Sequence, residues 1–482
     1  MKDTNQCNWP RANPGLCAVI LFAVVAACPG CARYKPQPLD PLAVQQKLQQ
    51  VSLANLAQEY DAVKGTETAQ NISASVSEGL GPDEAGLAAL VLNPGLKSKR
   101  LESGIAAGQL VTAGLYPNPS FDNNPLLGSM HPRHQKSIDS SVTVEVLRWQ
   151  ERAANIQTKQ ANIEAVHYEM LNEEWKTVSD ARAAWWNAVA SQERLRLNQD
   201  EIALSARLLD SVKARIRHGA GTALDANLAE LQHLRLQMET QKLETDAESA
   251  RRTLRQAIGL PYDSELKLRI PPGLNKNAGP LAHTAHTWKL PELISSLPES
   301  ATMKAVEWRY NVSEGELRAA IARQYPSLRL GPSGTFDFNG NIWSSLLGFA
   351  ASTEIPLFNR NQGEIKEKQA ARDLAHADYD ARLQTVQAAV AEAAAQVDSI
   401  EQRLAFQERE LLPKGQESIA LTEKAYKAGE IAGSELLLAR SLFIETERSY
   451  LELLISYRQA LEALEAVLGR RLEDIPGSEA KQ

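Results

Sequence analysis

The chain has 482 residues and a formal net charge of −7, an acidic balance that argues against wholesale binding to the phosphates of nucleic acid. All four cysteines, Cys7, Cys17, Cys28 and Cys31, lie in the first 31 residues. The rest of the chain therefore has neither a disulfide framework nor a cysteine metal site.

At the N-terminus, Lys2 and Arg11 precede an apolar run from Leu16 to Ala27. The run is too short to span a bilayer comfortably and has the pattern of a secretory signal, residues 1–27. It ends Val25-Ala26-Ala27-Cys28, the pattern of a bacterial lipobox, in which Cys28 becomes the lipid-bearing first residue. Cys31, after Pro29-Gly30, is the alternative, and plain signal cleavage with an incidental cysteine is a third reading. Several acyl chains on one residue would give the stable membrane anchoring that a single chain does not. Residues 28–82 read as a leader: a proline-marked extended stretch, a short helix within Pro41–Val63, then a polar loop.

Asp83 to Leu115 is helical by pattern, and Tyr116 to Ile138 holds one short strand and a polar loop. Val142, Val144 and Val146 alternate with polar residues, the period of a strand. Trp149–His218 reads as a long helix and Thr222–Leu260 as its return partner. Pro261–Lys289 is an irregular connection, and Pro291–Gln324 is helical again. Leu328, Leu330, Phe336 and Phe338 then share one parity against Arg329, Ser333, Thr335 and Asp337, and Asn339-Gly340 is a hairpin signal. Trp343 to Ile355 alternates in the same way. Gln362–Ala428 is a helix of roughly 100 Å, reversed at Gly429, where a residue without a Cβ is wanted. Leu436, Phe443, Tyr450, Tyr457 and Leu464 stripe the returning helix. Pro476–Gln482 is a loose tail.

The pattern occurs twice. Tyr116-Pro117 returns as Tyr325-Pro326, and Thr143-Val144-Glu145-Val146 as Ser352-Thr353-Glu354-Ile355, at a constant offset of about 209 residues. The reversal at His218-Gly219 matches Ala428-Gly429. Two pseudo-repeats of helix, two strands and a long helical hairpin follow, residues 83–260 and 291–470, joined by 261–290 and ending in a tail, 471–482. The fold class is mainly α with a small β part. A hairpin with one apolar and one polar face suits either a soluble core or a membrane barrel with a wet lumen; the lipobox and the long helices favour the barrel. About four strands cannot close such a barrel, whose smallest members have about eight, and open edges are not tolerated in lipid. Several copies must share one.

Certain runs are similar to a known family. Glu410-Leu411-Leu412-Pro413-Lys414, Ala425-Tyr426-Lys427-Ala428-Gly429-Glu430-Ile431 and Glu435-Leu436-Leu437 resemble the second-repeat signature of TolC-type outer-membrane efflux proteins. Glu354-Ile355-Pro356-Leu357-Phe358 resembles the passage from strand to long helix, and Ala113 to Pro119 the approach to the first strand. The resemblance covers about Asp83 to Arg470. It implies a homotrimer with a twelve-stranded outer-membrane β-barrel continued by a periplasmic α-helical barrel. Such a duct would conduct passively what an inner-membrane pump and a periplasmic adaptor deliver. The family often carries glutamine where this chain has Glu145 and Glu354, which implies additional acids in the lumen near the barrel end. Pro413 has no counterpart in the first repeat, so any bend is expected in the second long helix alone.

A channel has gates and docking surfaces in place of catalytic residues, and no phosphate loop, nucleophile elbow or paired-carboxylate motif is present to suggest an enzyme or a cofactor. Asp225, Glu430 and Glu435, near the two helix turns, are candidate acids of a periplasmic gate, where three copies would make cation-attracting rings. Their alternative is as solvated or helix-capping acids. Gly219 and Gly429 are candidate adaptor-docking turns with Arg217 and Lys427 as contacts; simple helix stopping and solvated charge is the competing reading. His131, His134, His283 and His286 pair at ligand-like spacing but lack a third ligand nearby.

Overall fold

The computed structural model describes residues 34–53, 79–127, 135–146, 149–218, 222–271, 285–339, 342–475 and 479–481. The chain divides into two compact units, 1–49 and 50–482. The described part of the first is an extended stretch and the exposed helix α1 (Pro41–Gln49).

The second unit opens with α2 (Pro82–Leu92) and α3 (Pro94–Gly114). These two replace the single helix expected from Asp83 to Leu115. Pro94 has no N–H to continue the first helix, and the Asn93 side chain accepts from Gly95 N–H at 2.8 Å, starting the second. Strands β1 (Ser120–Leu127) and β2 (Gln135–Glu145) follow, then α4 (Trp149–Arg217), 69 residues without a break, and α5 (Ala223–Ile258). The second half of the chain has α6 (Leu290–Ser295), a 3-10 turn (Leu297–Glu299) and α7 (Ala301–Ala322) where one helix was expected. Pro298 interrupts the pattern there, and the Ser300 hydroxyl accepts from Met303 N–H to begin α7. Strands β4 (Leu328–Asn339) and β5 (Ile342–Thr353) lead to α8 (Gln362–Phe406), a π-turn (Gln407–Leu411), α9 (Leu412–Ala428) and α10 (Gly433–Leu468). The π-turn ends two residues before Pro413, so the expected irregularity lies in the second long helix while α4 runs on. A wider turn frees the carbonyl that proline cannot serve.

The segment read as a loose tail is not one throughout. Strand β6 (Glu479–Lys481) pairs antiparallel with β3 (Ala285–Thr287), drawing the C-terminal residues onto the connection between repeats. Three residues are too few for alternation to show.

Strands β1, β2, β4 and β5 form one antiparallel sheet in that order. The register puts Phe121 beside Val142, Ile138 beside Phe336 and Pro332 beside Phe349. Phe121, Ile138, Val142, Val144, Phe336, Leu347 and Phe349 thus share one face, and all are exposed. The other face carries Asp122, Asp139, Thr143, Glu145, Arg329, Thr335 and Asp337, with Leu126, Ile342 and Leu346 among its apolar exceptions.

Alongside the sheet's sequence, helices pack in the order α3, α4, α7, α8, and further along in the order α5, α4, α10, then α8 and α9. Their core centres on Trp185, fully buried, with its indole N–H donating to the Leu80 carbonyl at 2.6 Å and its ring set edge-on to Trp186 at 4.8 Å. Val386, Val390, Ala394, Val397, Ile400 and Leu404 give α8 a buried seam at helical spacing. A buried Asn198 ties α4 to α5, donating to Leu236 O at 3.1 Å and Thr240 Oγ1 at 2.9 Å. Arg448 of α10 meets Glu201 on α4 and Glu239 on α5, each at 3.0 Å. Burial pushes the Glu201 carboxyl up, with Arg448 opposing.

A Cβ on Gly331 would collide with the Val142 carbonyl oxygen across the β2–β4 pairing, where no flexible side-chain end can yield. Gly331→Ala is expected to open that pairing and speed amide hydrogen exchange in β2 and β4. Gly334→Ala, whose nearest neighbour is the movable Phe336 ring at 3.3 Å, should leave exchange near the parent level.

Candidate functional site

The two helical reversals lie together. The second is closed by Gly429 in the left-handed region at φ 79°. Gly429 N–H donates to Tyr426 O at 3.1 Å and Glu430 N–H to Ala425 O at 3.0 Å, a paired termination that satisfies two end carbonyls. The first reversal falls between α4 and α5, and Gly219 lies outside the described residues. A small apolar cluster joins the hairpins: Leu208 and Val212 of α4 pack on Leu436 of α10, with Ile216, Ala226, Tyr426 and Leu437 around them. Ser211 Oγ and Tyr426 OH are 3.3 Å apart, and the Arg215 guanidinium lies 4.6 Å from the centre of the Tyr426 ring.

Asp225 is the polar centre of this contact. Thr222 begins α5 with a capping box: its hydroxyl accepts from Asp225 N–H at 3.2 Å and donates back to Asp225 Oδ2 at 2.7 Å, while Thr222 N–H donates to the same oxygen at 3.2 Å. The same carboxylate accepts from the hydroxyl and backbone N–H of Ser434 on α10. Hydrogen bonds from Thr222, then from Ser434, hold the Asp225 carboxyl below its ordinary range. Helix α10 starts at Ala432, whose side chain cannot cap. Asp225 therefore serves the open N–H groups of two helices from different hairpins.

Glu430, Glu435, Arg217 and Lys427 carry exposed side chains around the turns. Glu145 is the last residue of β2, opposite Arg329 on the polar face, and Glu354 follows β5 directly. Cys28 and Cys31 lie outside the described residues, as do His131, His134 and His283. Among the described residues no cluster of three or more His, Cys, Asp or Glu is set to hold a metal, and no helix is long and apolar enough to cross a membrane.

Sequence reasoning missed Tyr426, Ser434 and the Arg448 network as contacts. Tyr426 stood in a recognised motif, but its partners Ser211 and Arg215 are more than two hundred residues away, and nothing local signals them. Leu436 was legible as the start of the apolar stripe.

A one-faced sheet continued by two long helical hairpins defines a protomer of the outer-membrane channel fold. Solved structures share it: CusC, with a TM-score of 0.66 and 17% identity over 81% of this chain and 93% of that one, and VceC of Vibrio cholerae, with a TM-score of 0.64 and 13% identity over 83% and 98%. The model of the outer membrane efflux protein family matches residues 122–260 and 294–470, and the chain belongs to that family. A probable outer membrane lipoprotein, SilC of Salmonella typhimurium, is 23% identical over 292 residues, 58% of this chain; the match spans 60% of that relative's length. The protein is an outer-membrane protein with a periplasmic extension.

Asp225→Ala keeps the Thr222 hydroxyl on the α5 N-terminus but removes the reciprocal half of the capping box and a tie to α10, with an expected loss of up to about 1 kcal/mol. Amide exchange in the first turns of both helices should rise together. Glu435→Ala, three residues into α10 but exposed, should leave both unchanged.

Proposed function

We propose that the protein is the exit duct of a tripartite efflux system. Three copies close a twelve-stranded barrel, and the helices continue it as a periplasmic tunnel. Substrates delivered by an inner-membrane pump through a periplasmic adaptor leave passively. One observation carries this reading: the four-stranded sheet has an exposed apolar face and ends in β1 and β5, neither of which has a second neighbour among the described residues. Backbone groups on such edges need partners in lipid, and copies arranged β5 to β1 supply them. The helical layers carry matching edges. Leu224, Leu231 and Met238 are exposed on α5, and Phe406 and Leu421 on α8 and α9, at opposite ends of the packing order. A head-to-tail contact of this kind closes into a ring.

In this reading Glu430 and Glu435 are the periplasmic constriction acids, and Asp225 acts from beside them by holding the two reversals together. The turns at Gly219 and Gly429, with Arg217 and Lys427, form the adaptor-docking surface. Glu145 and Glu354 are lumen acids near the barrel end, where Arg329 tempers the charge of Glu145. Lipid on Cys28, or on Cys31, anchors each copy.

Two experiments test the gate and the turns. Glu430→Ala should raise single-channel conductance in a planar bilayer and weaken block by cations; unchanged conductance and block would remove Glu430 from the gate. Gly429→Pro cannot adopt a positive φ, and it should abolish efflux in a complementation assay while outer-membrane insertion, read as heat-modifiable gel migration, persists. Full resistance from that variant would place docking elsewhere.

A further inference from the structure

Arg182 of α4 is 5% exposed and is surrounded by carboxyl groups. Its Nη2 donates to Asp83 Oδ1 of α2 at 2.6 Å, and its Nη1 stands 3.5 Å from Glu462 Oε2 and 3.6 Å from Glu465 Oε2, both on α10. Arg471, just past α10, also reaches Asp83 at 3.0 Å. Glu465 is engaged further, since its Oε1 accepts from Leu472 N–H at 3.0 Å. Two guanidinium groups thus face three carboxyls; Arg182, Glu462 and Glu465 are largely buried while Asp83 and Arg471 reach solvent, and Glu462, unlike Glu465, accepts from no backbone N–H among the described contacts. The Arg182 Nε–H finds no acceptor at all among the described residues.

We propose that Glu462 is a proton-binding site, and that its charge state sets how firmly α2 is clamped to α4 and α10. With Glu462 protonated, two arginines balance Asp83 and Glu465. With it ionised, the cluster carries a net negative charge, two of its three carboxylates largely out of water, and Glu462 competes with Asp83 for Arg182. Burial pushes the Glu462 carboxyl up to about 7; Arg182 opposes this, while Glu465 and Asp83 add to it. Burial also pushes Glu465 up, opposed by Leu472 N–H, Arg182 and Arg471, with Glu473 adding. These are the charged groups that face Glu462 from α2, α4, α10 and the segment after it. The folded protein then holds this proton more tightly than the unfolded chain does, so the stability it contributes is full below the ordinary glutamate range and is lost as pH rises through about 7.

The test uses the full-length protein in lipid or detergent and requires no efflux partner, so it stands apart from the duct reading. Infrared difference spectra across a pH titration should show a protonated-carboxyl carbonyl band that disappears near neutrality. The band should be absent in Glu462→Gln and retained in Glu465→Gln. The melting temperature of the parent should fall as pH rises from the ordinary glutamate range to about 7 and then level off, and Glu462→Gln should flatten that fall. Should the variant not fold, amide exchange in α2 of the parent protein reads the same event: its protection, corrected for the base-catalysed rise of the intrinsic rate, should fall near neutral pH while that of α4 beyond the cluster does not. A carboxyl band that persists in Glu462→Gln, or a parent protein with no acid titrating above the ordinary glutamate range and no change in α2 exchange, would overturn the proposal.

Discussion

Unpaired backbone at the two ends of a four-stranded sheet is the constraint on which the rest of this structure turns. An amide or carbonyl left without a partner in hydrocarbon costs several kcal/mol, and β1 and β5 each present a row of them toward the side where no neighbouring strand is described. The apolar face of the sheet, with Phe121, Phe336 and Phe349 exposed, leaves water an equally poor home. The helices also stand in a fixed succession: α3 and α5 are at one end of their packing orders, α8 and α9 at the other. A single succession of neighbours, repeated at three levels, lets one rotation satisfy all of them in the proposed ring.

At the paired turns, near-identical sequence spacing leads to different physical outcomes. Asp225 and Glu435 each sit in the first turn of a returning helix. Thr222 precedes the first and can exchange hydrogen bonds with its acid; Ala432 precedes the second and cannot. Glu435 is left facing solvent, while Asp225 turns inward and supplies the N–H of Ser434 as well. One carboxylate spans two hairpins that the apolar contact of Val212 with Leu436 also joins.

Much of this architecture was legible in the residues. The offset between Glu145 and Glu354 matches two successive runs of helix, two strands and helical hairpin, alternation from Leu328 onward marked the sheet faces, and the stripe from Leu436 to Leu464 marked the buried side of α10. Periodicity reports local geometry faithfully because burial recurs with the turn of the helix or the pleat of the strand. It is silent about contacts without a period. The break at Asn93 depends on a side chain that also donates to Ala257 O at 3.0 Å, far along the chain. The pairing of Ala285–Thr287 with Glu479–Lys481 is too short to alternate. The ion clusters of Arg448 and Arg182 join residues hundreds of positions apart, and single charged residues on amphipathic helices look like ordinary solvated surface until the fold brings them together.

The π-turn at Gln407–Leu411 has a further effect on how the second long rod can be used. Accommodating one additional residue advances the winding by about 100° relative to an unbroken helix. The side that α8 buries through Val390, Val397 and Leu404 is thereby not continued below, and none of the seventeen residues of α9 is buried. Gln407, donating to Thr446 O at 2.8 Å, and Glu408, accepting from the Tyr450 hydroxyl at 2.8 Å, pin the point of change to α10. The two parts of the rod thus present differently phased faces to α10, the upper one through a buried seam and the lower one through side-chain ties such as Arg440 to Glu423 at 2.6 Å.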